Sequence, residues 1–129
     1  MLNIIAIAAV ISGLLAFPIE AYADAASEIA TAAQQAGLAA AAANLVETHM
    51  HLHQALNCLV GPQDGDFDKT NMNPCAQKGK GAFPDESDAE IKTKLQSAMS
   101  AAEDGIASRD EATAKKNAAT VQTLLDAIK

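Results

Sequence analysis

The stretch ETHMHLHQALNC, residues 47–58, gathers all three histidines of the chain, His49, His51 and His53, beside one acid, Glu47, and one cysteine, Cys58. Imidazole, carboxylate and thiolate are the side chains that hold transition metals. On a helix turning about 100° per residue from Leu45, His49 falls at about 40° and His53 at about 80°, an i, i+4 pair able to face one ion. His51 falls at about −120°, on the far side, sharing that face with Glu47 and Cys58. The spacing therefore predicts two half-sites: His49 with His53, and Glu47 with His51, the second roofed by loop oxygens or the Met72 thioether. Imidazole with thioether suits copper, and imidazole with carboxylate suits zinc or nickel. The alternative is structural, with the histidines hydrogen-bonded or packed and no metal involved.

Cys58 and Cys75 are the only two cysteines. In an exported chain such an even pair reads as a disulfide. A bridge enclosing roughly 15 to 20 residues stabilises by about 3 kcal/mol in the loop-entropy description. Bonding Cys58 to Cys75 would also tie a long loop back over the face that carries Glu47 and His51. Other chemistry is poorly represented. No G-x-S-x-G, H-E-x-x-H or phosphate-cradling glycine loop occurs, and a disulfide would remove the thiol nucleophile, so the reading is non-enzymatic. DGDFD, residues 64–68, lacks the ligand run and closing Glu of a calcium-binding EF-hand.

Helices must position these residues. Ser27 is placed to cap a first helix running to Leu59 or Val60, with Gly61 at its C′ position and Pro62 behind it. Gly37 is the point at which that helix would bend or divide. Residues 61–86 are rich in Gly, Pro, Asn and Asp without apolar period and read as loop. Ser87 to Glu90 and Ser108 to Glu111 both have capping-box spacing, predicting two more helices. Apolar stripes follow at helical period: Leu38, Leu45, Leu52, Leu56 and Leu59; Ile91, Leu95, Ala98, Ala102 and Ile106; Ala114, Ala118, Val121, Leu125 and Ile128. The expected fold is all-α, a small antiparallel bundle of three helices, or four if Gly37 breaks the first, with a long disulfide-tethered loop. So much alanine gives helix propensity with little burial, hence modest stability unless the disulfide, a metal or assembly into a homo-oligomer adds to it.

The apolar run from Ile4 to Phe17, followed by Pro18 and Ala21-Tyr22-Ala23, has the order of a secretory signal peptide. Cleavage near Ala23 would leave residues 24–129 as one periplasmic or secreted domain. The competing reading is an uncleaved membrane anchor, but the run is shorter than the roughly 20 residues a bilayer core requires; once the leader is cleaved, no stable membrane insertion is expected. The chain carries a formal charge of −7, and loss of the leader removes Glu20 but no basic residue. An acidic surface, with Phe67 and Phe83 the only aromatics beyond the leader, argues against nucleic acid as a partner.

The histidine-bearing, alanine-rich helical design behind a leader resembles the small periplasmic metal-binding helical-bundle proteins of proteobacteria, with the likeness centred on residues 47–53. That resemblance implies copper, nickel or zinc as the ion. Those proteins spread histidines along several helices, whereas here the second and third predicted helices have none, which implies one or two sites rather than a metal buffer. The segment HLHQALNCLVGP…NPC…GKGAFPD is also similar to a pattern in uncharacterised small secreted bacterial proteins. Two functions are therefore expected in turn: a periplasmic metal-binding protein, or a structural or interaction module that meets an unidentified periplasmic protein through loop 61–86.

Overall fold

The computed structural model describes residues 24–128. The leader and its cleavage near Ala23 lie outside the described residues. Five helices follow in order: α1 (Ala25–Ala40), α2 (Leu45–Val60), the short α3 (Ala82–Asp85), α4 (Ala89–Ala107) and α5 (Glu111–Asp126). The four long ones form an antiparallel bundle. α1 packs beside α2 and α5, α4 completes the ring against α2 and α5, and α2 also touches α5 across the diagonal. Among the described residues, no helix is long and apolar enough to cross a membrane.

The first predicted helix is in fact two, and Gly37 does not divide it. Gly37 lies inside α1, while the chain turns at residues 41–44. Asn44 causes the break: its Oδ1 accepts from the Glu47 amide at 2.9 Å, and Glu47 Oε2 accepts from the Ala43 amide at 3.0 Å. This reciprocal cap ends one helix and starts the next. It also resets the phase of the apolar stripe, so Leu38 is exposed and Leu45 half-buried, while Leu52, Leu56 and Leu59 are in the core. The other starts shift by a residue or more. Asp24 caps α1 in place of Ser27, Asp88 caps α4 in place of Ser87, and Asp110 caps α5 in place of Ser108. In each case the carboxylate accepts amide bonds and adds the negative charge that a helix N-terminus favours.

Alanines form much of the core. Ala32, Ala36 and Ala39 of α1, Ala98 and Ala102 of α4, and Ala114 and Ala118 of α5 are fully buried around Leu52, Leu59, Leu95, Val121 and Leu125. Small side chains allow close helix approach, and Gly105 carries this furthest. A Cβ on it would lie 2.7 Å from Leu52 Cδ1.

Candidate functional site

All three histidines lie on α2, and each reaches a different neighbour. The His49 ring donates from Nε2 to the Ser108 carbonyl at 2.9 Å, joining the start of α2 to the α4–α5 turn. His51 donates from Nδ1 to Gln35 Oε1 of α1 at 2.9 Å. His53 faces the loop, its Nδ1 3.1 Å from Asp68 Oδ2 but out of line for a hydrogen bond, so this buried nitrogen has no hydrogen-bond partner. The i, i+4 relation of His49 and His53 therefore does not become a shared partner. Glu47 is engaged in the cap of α2, and Met72 is 69% exposed. The structure does not bring Glu47, His51 and Met72 together under the loop. Among the described residues, no group of three or more His, Cys, Asp or Glu side chains is placed to hold one metal ion.

The loop itself is strongly determined. Cys58 and Cys75 are bonded, with Cα atoms 5.2 Å apart, as expected of an even pair of cysteines. One residue earlier on α2, the side chain of Asn57 is buried and turned wholly to loop backbone. Its Oδ1 accepts from the Asp68 amide at 2.8 Å, and its Nδ2 donates to the carbonyls of Asp68 at 2.9 Å and Met72 at 3.3 Å. Asp68 then organises the turn, accepting from the amide and hydroxyl of Thr70 and from Asn71 Nδ2. Bonds from Thr70 and Asn71, with the nearby His53 ring a smaller influence, hold its carboxyl down at about 2. Residues 62–66 project into solvent between these anchors.

At the loop's return the backbone crosses the end of α2 closely enough to exclude side chains. Gly61 has φ +76°, and a Cβ there would sit 1.6 Å from the Lys80 carbonyl oxygen. Gly81 has φ +118°, and its Cβ would sit 2.7 Å from Val60 oxygen. Both positions need glycine on conformational and steric grounds. The short α3 then tucks Phe83 beneath the Lys92 ammonium of α4, 4.9 Å from the ring centre.

Electrostatically the loop tip is one-signed. Burial, with Asp66, Asp104 and Asp64 nearby, raises the carboxyl of Glu103 on α4 above its usual range. Farther from His49, an apolar cleft of about 310 Å³ lies between the ends of α1, α4 and α5, lined by Ile29, Ala33, Ile91, Leu125 and Ile128. It has no histidine in its lining.

Two residues with clear structural roles lie outside the sequence-predicted set. Asn57 interrupts the apolar run ALNCLV, and Glu28 stands in helical register with Ala32, Ala36 and Ala39. A polar group in step with a buried stripe is a legible signal in both cases. No family model, curated protein or solved structure matches this chain.

Proposed function

We propose that this chain is an exported, non-enzymatic interaction module, a helical bundle that displays loop 61–86 to a protein partner in the periplasm or outside the cell. The observation that carries this reading is the buried Asn57 amide, which is devoted to the backbone of the loop. Beside the disulfide it fixes an exposed tip in one shape, so little conformational entropy is lost when a partner binds. The acid-rich tip favours a basic surface on that partner. Export rests on the leader-like residues 1–23 and on the disulfide.

Site-specific photo-crosslinking in the producing cell tests the proposal. A crosslinker at exposed Met72 should give a discrete protein adduct. The same group at Val46, which is 79% exposed on α2, should not. Equal labelling at both positions, or none at Met72, overturns the reading.

The contact between His53 Nδ1 and Asp68 Oδ2 favours a second reading, transition-metal binding, with an imidazole and a carboxylate as half of a zinc, nickel or copper site. In this reading His53 is paired with Asp68 rather than with His49. Calorimetric titration of tag-free protein with Zn(II), Ni(II) and Cu(II) should then give saturable binding that His53→Ala weakens. An absence of saturable heat for all three ions sinks it.

A further inference from the structure

Glu28 lies on the first turns of α1 with its side chain wholly buried. Oε1 accepts from the Gly81 amide at 3.0 Å, where the loop returns to the bundle. Oε2 is buried with no hydrogen-bond partner. Opposite stands a second acid, Asp85 of α3, whose Oδ2 accepts from the Lys80 amide at 2.6 Å. The two carboxyls converge over Gly79: a Cβ on that residue would lie 2.1 Å from Asp85 Oδ2 and 3.0 Å from Glu28 Oε1. An orphaned buried carboxyl oxygen beside another carboxyl calls for something positive between them.

We propose that Glu28 and Asp85 form a proton-binding pair that fastens the returning end of loop 61–86 to α1 in acid and loosens it as the pH rises. Two carboxylates meeting where one of them is wholly buried cannot both ionise without strong repulsion. One proton held on Glu28 Oε2 and donated to Asp85 turns that repulsion into a hydrogen bond and satisfies the orphan oxygen. When the proton passes to solvent, Asp85, half-buried on its four-residue helix, is the partner free to turn outward.

The surroundings favour the protonated form. Burial first, then the charge of Asp85, the carboxyl–carboxyl contact with it and the charge of Asp24, push the Glu28 carboxyl up to about 7, against the bond from Gly81, which acts the other way. From the loop, the Lys78 amine is held on Ser27 Oγ at 2.9 Å. On the α2 side, residues 57–61 bring no titratable group, since Cys58 is bonded to Cys75. Glu86, which ends α3, and Asp126, the last residue of α5, line the cleft beside Ile29. Between the ordinary carboxyl value of 4.5 and about 7, the folded chain keeps a proton that the unfolded chain has released. Stability from this pair is therefore complete below 4.5 and lost as the pH rises through about 7.

Carboxyl-carbon NMR of the full chain should show Glu28 titrating near neutrality, and Asp85→Asn should move that titration down towards 4.5. Protection of the Lys80 amide against hydrogen exchange, corrected for intrinsic rate, should fall between pH 6 and 8. Glu28→Gln keeps an acceptor for Gly81 and supplies a permanent donor towards Asp85, so its urea midpoint should lack the wild-type decline over that range. An ordinary Glu28 titration, or the same decline in Glu28→Gln, overturns the proposal. Millimolar Ca²⁺ that stabilises the wild type at pH 8, but not Glu28→Gln, also overturns it by placing a cation where we place a proton. Should Glu28→Gln fail to fold, the Asp85→Asn shift decides alone.

Discussion

Asn57 illustrates how one polar residue in an apolar run can outweigh its neighbours. Two side-chain atoms meet four loop backbone groups, and none of these groups has water as a ready substitute while the side chain stays 1% exposed. Truncation leaves buried donors and acceptors unmatched, so Asn57→Ala should cost about 2 to 3 kcal/mol. The measurement is the urea midpoint by circular dichroism, and a change below the error of the fit would mean that the loop finds other partners. The histidines differ in kind from Asn57. His49 and His51 each contribute one hydrogen bond, to Ser108 and to Gln35, and His53 lies against Asp68 without one, so each ring meets a separate part of the molecule.

At the level of elements, two glycines that look alike in sequence should respond oppositely to the same change. A Cβ on Gly37 would meet Gln122 Nε2 at 2.8 Å, the far end of a half-buried, flexible side chain that can move aside. Gly37→Ala should therefore stabilise by about 0.5 to 1 kcal/mol through helix propensity. A Cβ on Gly105 would press on Leu52, which is wholly buried, and on Asn117 Cβ at 3.1 Å. Overpacking costs about 1 to 3 kcal/mol and outweighs the same propensity gain, so Gly105→Ala should destabilise. Thermal melts of the two variants side by side check both signs. The contrast also marks what the sequence could disclose. Periodicity identified the stripes of α4 and α5, because burial there follows a regular helical phase. It missed the turn at residues 41–44, because alanine favours helix on both sides and only the Asn44–Glu47 cap opposes it. It placed the three histidines on one helix but not their partners, since Ser108, Gln35 and Asp68 come from three other segments and meet α2 only through tertiary packing. The disulfide was readable from cysteine arithmetic. The proton-sharing acids were not, because Glu28 and Asp85 are far apart along the chain.

For the molecule as a whole, an alanine-rich core leaves a large share of stability to cross-links. Reducing Cys58–Cys75 should lower unfolding stability by about 3 kcal/mol, read as a shift of the urea midpoint with and without reductant. Helix content in water should persist, because Asn57 and Glu28 still hold the two ends of the loop. Loss of the far-ultraviolet signal on reduction alone would mean that those anchors fail without the bridge. The start of α1 belongs to the same junction. The Asp24 amide donates to the Lys78 carbonyl at 3.1 Å, and the Asp24 carboxylate is close enough to act on Glu28. A peptidase cutting after Ala23 would turn that amide into an ammonium, able to make the same bond while adding a positive charge near the Asp24 and Glu28 carboxyls. Such a charge favours an ionised Glu28 and draws its titration downward. Cut and uncut chains would then differ in proton affinity at the loop's anchor, so that such a cut would act as a chemical signal.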